Sequence, residues 1–346
     1  MKKYISEIKP PKVSIAPMVD RTDRHFRYFA RLLTKRALLY TEMTTAQAII
    51  HGDRNMLLDF DVVERPLALQ IAGCDAKNIG KAVKIAEDWD YDEINLNIGC
   101  PSDRISGNDM GASLMAYPEL VRDIVKETRR NTNKPITVKH RIGIDGKGIL
   151  PDSFERTLLD KYEDLKNFVD IVGQSKVDRF IVHARIAILA GLSPKENREV
   201  PPIRYEDVYK LKRDYPHLNI EINGGIKTIK EIENHLNHVD GVMIGRSAYD
   251  TPFILAEVDK FFEGGKVNNI SRREVIEGLM QYLSNLDTNT KPHNVLKHTM
   301  GLFHGVKGSK RWRQIIIPPW DKDVVDILKA SLETLPKETL DARPMF

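Results

Sequence analysis

Short apolar runs alternate with longer amphipathic runs along the first 250 residues of the chain. Eight of the short runs are mostly apolar and β-branched, which is typical of parallel strands covered by helices. The runs between them place apolar residues at helical spacing, as in Asn78–Trp89 and Pro118–Thr128. The eight predicted strands are Val13–Met18, Ala37–Met43, Pro66–Ala72, Glu93–Ile98, Ile136–Arg141, Arg179–His183, Asn219–Asn223 and Gly241–Gly245.

Eight strand–helix units in about 250 residues match the count and size of a (β/α)8 barrel, the TIM barrel. A doubly wound sheet is the alternative, but it usually needs fewer strands. Its Gly-x-Gly-x-x-Gly motif is also missing after the first strand, where Ala16-Pro17-Met18 stands instead. We therefore predict an α/β fold with a TIM barrel over residues 1–250.

From about Thr251 the alternation stops and the pattern becomes helical, with predicted helices over Arg272–Leu283, Pro292–Phe303 and Val324–Glu333. We therefore predict a smaller all-α domain over residues 251–346. Its central stretch, Lys291 to Arg313, holds six Lys or Arg, three His and no Asp or Glu. Such a stretch suits a polyanion, or simply forms a solvated helix face.

Composition narrows the class of protein without naming a partner. The 346 residues carry 53 Lys and Arg against 49 Asp and Glu, and a net charge of +4 is too small to indicate nucleic acid by itself. Two cysteines are too few for the disulfide framework of a small secreted protein. The chain also shows no signal-peptide pattern and no apolar run of membrane-spanning length. We expect a cytoplasmic protein with no membrane contact.

In a TIM barrel the active site lies at the C-terminal ends of the strands. Polar and glycine residues crowd those ends here, although the strands themselves are apolar, and this pattern predicts a site. The residues are Pro17, Met18, Val19, Gln70, Asn95, Asn97, Cys100, Lys139, His183, Asn223, Gly224, Gly225, Gly245 and Arg246.

The last two strand ends indicate an anion site. Asn223-Gly224-Gly225 lets backbone amides approach an anion closely, and Gly245-Arg246 adds another amide, a guanidinium and the start of a helix. Two ordinary strand-to-helix turns are the alternative. Lys139 either makes a salt bridge at the barrel rim or places a cation beside a cofactor ring that holds negative charge when reduced.

Cys100 lies between Gly99 and Pro101, ahead of the mobile-looking segment Ser102–Gly111. A buried structural cysteine is one interpretation, and a thiol that acts as nucleophile or proton donor is the other. Cys74 has no such surroundings and is predicted to be structural. The histidines lack the spacing of a metal site, so we predict no metal.

Taken together, the strand-end motifs resemble the flavin-dependent tRNA-dihydrouridine synthases over nearly the full chain. The segment Gly191–Arg198 resembles the A subfamily, which reduces uridines at positions 20 and 20a of the D-loop. The matching motifs, in family order, are Ala16-Pro17-Met18, Tyr40-Thr41-Glu42-Met43, Gln70, Asn95–Asp103, Lys139–Gly143, His183-Ala184-Arg185 and Asn223-Gly224-Gly225.

The resemblance implies the roles of these residues. NADPH would reduce an FMN cofactor, a hydride would pass from flavin N5 to C6 of a flipped uridine, and Cys100 would protonate C5. The FMN contacts would be Pro17, Met18, Val19, Gln70, Lys139, His183, Asn223, Gly224, Gly225, Gly245 and Arg246. The tRNA contacts would be Asn97, Arg185, Lys310, Arg311 and Arg313. We expect a monomer with no obligate protein partner.

The chain departs from the family pattern at three places. Arg21 stands where Trp is expected, Ile186 stands where the A subfamily has Lys, and the region 145–167 is longer than usual.

Two other functions remain open on the residues alone. One is a flavin barrel for a small molecule, such as a dihydroorotate-dehydrogenase-like enzyme, and the other is an RNA-binding module without catalysis.

Overall fold

The computed structural model of the chain describes residues 10–102, 110–287 and 290–344. Eight parallel strands stand side by side in the order β1-β8-β7-β6-β5-β4-β3-β2. A parallel bridge between Ser14 and Leu38 joins the two outer strands, so the barrel closes. The strands are β1 Val13–Ile15, β2 Leu39–Tyr40, β3 Leu67–Ala72, β4 Glu93–Ile98, β5 Ile136–Arg141, β6 Arg179–His183, β7 Ile220–Asn223 and β8 Gly241–Ile244.

The predicted barrel is confirmed, and the predicted bounds of β4, β5 and β6 agree with the structure. The prediction was wrong for β1 and β2, which are clearly shorter than expected, and β3, β7 and β8 are each one residue shorter. β1 ends at Ile15, because Met18 turns the chain by accepting hydrogen bonds from the N–H groups of Arg21 and Thr22. β2 ends at Tyr40, and the chain pairs with β3 again only at Thr44–Thr45.

Helices alternate with the strands and cover the outside of the barrel. α4 shows why these segments are helical: Asp75 caps its first turn, and Ile79, Val83 and Ala86 lie buried on one face. The helices of the first 250 residues are α1 Arg24–Leu33, α2 Ala46–His51, α3 Arg54–Leu58, α4 Ala76–Ala86, α5 Pro118–Asn131, α6 Tyr162–Gly173, α7 Tyr205–Asp214, α8 Ile229–Leu236 and α9 Arg246–Asp250.

The remaining chain is helical, as predicted. One predicted helix was too long: Pro292–Phe303 is helical only to Leu296, followed by a 3-10 turn at Lys297–Thr299. The chain then turns because Gly301 packs against the backbone of Asp250, where a Cβ would lie 2.4 Å from the carbonyl oxygen. The helices here are α10 Arg272–Ser284, α11 Pro292–Leu296, α12 Ser309–Ile316, α13 Val324–Thr334 and α14 Lys337–Leu340.

The helical part packs on α1 and shares one continuous hydrophobic core with the barrel. Gly278 of α10 lies so close to α1 that a Cβ there would be 2.9 Å from the side chain of Leu32. The tRNA-binding role of residues 251–346 and the boundary at residue 250 stay predictions. The long region 145–167 contributes Leu158–Leu159 to a small three-stranded sheet with Ile144–Asp145 and Ala187–Ile188.

A buried ionic cluster fills the interior near the N-terminal ends of the strands. Arg179 donates through Nη2 to both carboxylate oxygens of Glu93, at 2.9 and 2.8 Å, and through Nε to Glu221 at 2.7 Å. Tyr40 and Thr137 donate hydroxyl hydrogen bonds to Glu93 at 2.8 and 2.6 Å. The Arg179 side chain is 5% exposed and that of Glu221 is 0% exposed, so both charges depend on one another for stabilisation.

We expect Arg179→Met to lower the free energy of unfolding by about 3–5 kcal/mol, because two buried carboxylates lose their counterion. Urea denaturation measures the loss. Arg130→Met is the matched control: its exposed ion pair with Glu127 should contribute at most about 1 kcal/mol. Equal losses in the two variants would contradict a stabilising role for the cluster.

Candidate active site

Three amide side chains line the mouth of the barrel on β3 and β4. Asn97 donates to the Gln70 side-chain oxygen at 2.9 Å, and Gln70 donates to Asn95 at 2.7 Å. The side-chain oxygen of Asn97 accepts the N–H groups of Gly99 and Cys100 at 3.1 and 3.0 Å. The amide of Asn97 therefore holds the backbone of Cys100 at the strand end, and its orientation is set by Gln70.

Cys100 is partly buried beside a group of cations. Its carbonyl accepts the N–H of Ala112 at 2.9 Å, and Arg141 donates to the preceding carbonyl of Gly99 at 3.1 Å. The side chain lies near Lys139, and the negative charge of its thiolate form would raise the pKa of that lysine. The predicted mobile segment Ser102–Gly111 includes residues 103–109, which lie outside the described residues. Cys74 packs against the hydrophobic core, in keeping with its predicted structural role.

Lys139 and His183 bring two further polar groups into the same mouth. The strand register pairs Lys139 with Asn97 and His183 with Asn223. Burial, and then the charge of Arg141, lowers the pKa of Lys139 to about 8. Burial also lowers the pKa of His183 well below its ordinary value, so this ring is neutral at pH 7. Among the described residues, no carboxylate forms an ion pair with Lys139.

The turn after β7 is built from two glycines that no other residue could replace without strain. Gly224 has φ +118°, and a Cβ there would lie 2.6 Å from the His183 ring. Gly225 has φ +72°, and its Cβ would lie 2.5 Å from Ile203. Within the described part of the chain, the N–H groups of Gly225, Ile226 and Gly245 donate to no acceptor. A phosphate oxygen fits these donors, because no protein oxygen competes for them.

The loop after β8 lies beside the loop after β1. A Cβ at Gly245 would lie 4.0 Å from the sulfur of Met18, so the two predicted cofactor loops are adjacent. Met18 is held in its turn by the Thr22 hydroxyl, which accepts the Met18 N–H at 3.0 Å, and Val19 is exposed at the rim. Pro17 precedes them at the strand end.

Arg246, predicted to bind an anion, forms an ion pair with Glu199 at 2.6 Å and donates to the carbonyl of Arg198 at 3.3 Å. Arg185 donates to the carbonyls of Glu199 and Pro201 in the same loop. The end of the Gly191–Arg198 segment and the residues after it are therefore held by the residues that follow β6 and β8.

Two cations of the mouth were missed by the sequence reasoning. Arg141 donates to the carbonyls of Ile186 and Asn197, both at 3.0 Å, and burial lowers its pKa to about 10. Arg198 lies near Arg246 and Arg21, and burial together with these charges lowers its pKa. The sequence did contain a signal for Arg141. Residues two apart on a strand face the same side, and Lys139 was already predicted to lie in the mouth.

The basic residues of the helical part are not part of this cluster. Lys310, Arg311 and Arg313 are exposed on α12, whereas Trp312 between them is fully buried and donates to the Thr299 carbonyl at 2.8 Å. The helix therefore presents its cations outward and its aromatic ring inward.

The departures from the family pattern have local explanations. The Arg21 guanidinium lies 4.6 Å from the centroid of the Tyr249 ring and pairs with Asp250 at 3.5 Å. Ile186 packs against the hydrophobic core. Within the described residues, no helix is long and apolar enough to cross a membrane, and no cluster of three metal-binding side chains occurs.

Comparison with known proteins decides the family. The profile of the dihydrouridine synthase family matches residues 14–337. The chain belongs to the dihydrouridine synthase family. It is therefore a flavin-dependent oxidoreductase, and the two alternative functions are set aside.

The chain is similar to curated proteins named tRNA-dihydrouridine(20/20a) synthase. It is 50% identical to the Synechocystis protein, over 90% of this chain and 89% of that one. It is 47% identical to the Pseudomonas putida protein, over 88% of each chain, and 44% identical to the Vibrio parahaemolyticus protein, over 94% and 98%. A solved 2-naphthoyl-CoA reductase complex shares the fold, with TM-score 0.51 and 9% identity over 72% of this chain and 50% of that chain.

We expect Gly224→Ala to weaken flavin binding by roughly tenfold or more, because the new methyl group overlaps His183 and the backbone is left-handed. The visible absorbance of flavin that copurifies with the protein measures the effect. Gly173→Ala in α6 is the control, since a Cβ there meets no atom within 4 Å. Normal flavin content in Gly224→Ala would show that this turn does not hold the cofactor.

Proposed function

We propose that the protein reduces uridines at positions 20 and 20a of the tRNA D-loop to 5,6-dihydrouridine, with FMN as cofactor and NADPH as reductant. The names of the relatives support the substrate and the positions. The observation that carries the proposal is the glycine turn with free amides, which lies at the same end of the barrel strands as Cys100, Asn97 and Lys139.

The residues of the mouth fit a flavin mononucleotide. Amides of the β7 and β8 turns would hold a single phosphate, and Arg246 would add its guanidinium after exchanging Glu199 for the phosphate. Lys139 has no carboxylate partner among the described residues, so its charge is available to the reduced ring. The proposed FMN contacts are Pro17, Met18, Val19, Gln70, Lys139, His183, Asn223, Gly224, Gly225, Gly245 and Arg246.

When bound and reduced by NADPH, the flavin supplies a hydride to C6 of the uracil ring. We propose that Cys100 delivers the proton to C5, because thiols are mostly protonated at neutral pH. Asn97 keeps the thiol in place through its two backbone hydrogen bonds, and we also assign Asn97 a contact to the flipped uridine.

The RNA backbone would lie across the mouth and the helical part. Flipping one uridine costs a few kcal/mol of stacking, which phosphate contacts elsewhere offset. We assign such contacts to Arg185, near the mouth, and to Lys310, Arg311 and Arg313 on α12. We extend the proposal to a monomer that acts in the cytoplasm, where tRNA and NADPH occur.

Two measurements test the proposal as a whole. Denaturing the purified protein should release FMN, and tRNA from cells that lack the gene should lose dihydrouridine at positions 20 and 20a. Release of FAD or no flavin would contradict the cofactor assignment. Unchanged dihydrouridine at both positions would contradict the substrate assignment.

We expect Cys100→Ala to leave flavin binding and NADPH oxidation nearly unchanged while dihydrouridine formation falls at least about a hundredfold, the usual contribution of a general acid. The thiol is needed only when C5 receives its proton. Stopped-flow flavin reduction by NADPH and reoxidation by tRNA measure the half-reactions separately. Cys74→Ala is the control, and equal loss in both half-reactions would make Cys100 a structural residue.

We expect Arg311→Glu together with Arg313→Glu to weaken tRNA binding by about tenfold or more and to flatten its salt dependence by about two in slope. Flavin reduction by NADPH should not change. Lys81→Glu with Lys84→Glu makes the same change in charge on the exposed face of α4 and serves as the control. If the α12 variant keeps normal affinity and salt slope, the RNA is held elsewhere.

A further inference from the structure

The glycine turn after β7 is tied to a residue that no motif indicated. The hydroxyl of Tyr205 donates a hydrogen bond to the carbonyl oxygen of Gly224 at 2.7 Å. Tyr205 is the first residue of α7 and directly follows the loop whose residues Arg198 and Glu199 bind Arg185 and Arg246. Its ring packs edge-on against His235 of α8, with 4.6 Å between the ring centroids.

The hydrogen bond has a consequence for the next amide. A peptide unit is planar and trans, so the carbonyl of Gly224 and the N–H of Gly225 point in opposite directions. Because Tyr205 holds the carbonyl on one side, the N–H is directed to the other. That N–H is one of the donors that meet no acceptor among the described residues.

The two glycines make this restraint necessary. Both have positive φ, and glycine backbones rotate more freely than any other. The Tyr205 oxygen also lies 3.0 Å from the position that a Cβ on Gly225 would occupy, so the tyrosine packs directly on the turn. Without the hydroxyl, the buried carbonyl of Gly224 would lose its donor and the peptide unit could rotate.

We propose that Tyr205 is a positioning residue that orients the Gly225 amide toward the phosphate of the flavin. The inference rests on the proposed function, because it takes the β7 turn as the phosphate site. It concerns the phosphate alone: Tyr205 sets the donor for that group and contributes nothing to recognition of the isoalloxazine ring.

Riboflavin, which lacks the phosphate, separates these contributions. The protein is freed of flavin, and the dissociation constants of FMN and riboflavin are measured by quenching of flavin fluorescence. Tyr205→Phe keeps the ring and removes the hydroxyl. We expect it to weaken FMN between about threefold and tenfold, the range of one hydrogen bond, and to change riboflavin less than twofold.

Tyr209→Phe is the matched control. Its hydroxyl lies 2.7 Å from Nδ1 of His235, the ring against which Tyr205 also packs, whereas the hydroxyl that binds the turn is that of Tyr205. This variant should bind both flavins as the unmodified protein does. The ratio of the two dissociation constants is compared within each variant, so a fraction of unfolded protein does not alter the result.

Each outcome has one meaning. A reduced preference for FMN in Tyr205→Phe alone supports the inference. If the unmodified protein prefers FMN and Tyr205→Phe keeps that preference, or weakens both flavins equally, the inference is wrong while the proposed function stands. If the unmodified protein binds riboflavin as tightly as FMN, the β7 turn is not a phosphate site and the cofactor assignment fails with it.

Discussion

The charge of Arg179 inside the barrel is the constraint on which the rest of the structure depends. A buried guanidinium requires carboxylates in contact with it, and Glu93 and Glu221 supply them from two other strands. The cluster determines which side of each strand faces inward. Because side chains alternate with a period of two, the same register turns Asn97, His183 and Asn223 into the mouth, and a shift by one residue would turn them outward.

The Arg179 cluster holds more carboxylates than cations, whereas the mouth at the other end of the strands holds more cations than carboxylates. Lys139, Arg141, Arg185 and Arg198 all lie near His183. Among the described residues, Glu199 forms an ion pair with Arg246 and Asp250 forms one with Arg21. Burial and mutual repulsion lower the pKa of Lys139 and Arg141, so the cations are held close together without full compensation. An anionic cofactor and an anionic nucleic acid both relieve this repulsion.

The helical part is joined to the site loops as well as to the core. His298, fully buried, lies 2.9 Å from Asp23, and Asp23 caps α1 by accepting the N–H groups of His25 and Phe26. Although burial opposes it, the hydrogen bond and charge of His298 lower the pKa of Asp23 to about 2. α1 follows the loop that carries Met18, so the surface that would bind RNA and the loop that would bind flavin are attached to the same helix.

The sequence by itself determined the barrel, most strand bounds, the family and the residues at the strand ends. These features depend on residues that are close together in sequence: the alternation of strands, the spacing of helices and short motifs. Only the tertiary structure decided the rest. The pairing of Arg179 with Glu93 and Glu221, the contact of Tyr205 with Gly224 and the ion pair of Arg246 with Glu199 join residues 19 to 86 positions apart. Patterns among neighbouring residues cannot predict contacts between residues so far apart in sequence. These contacts form when the barrel closes and brings distant segments together.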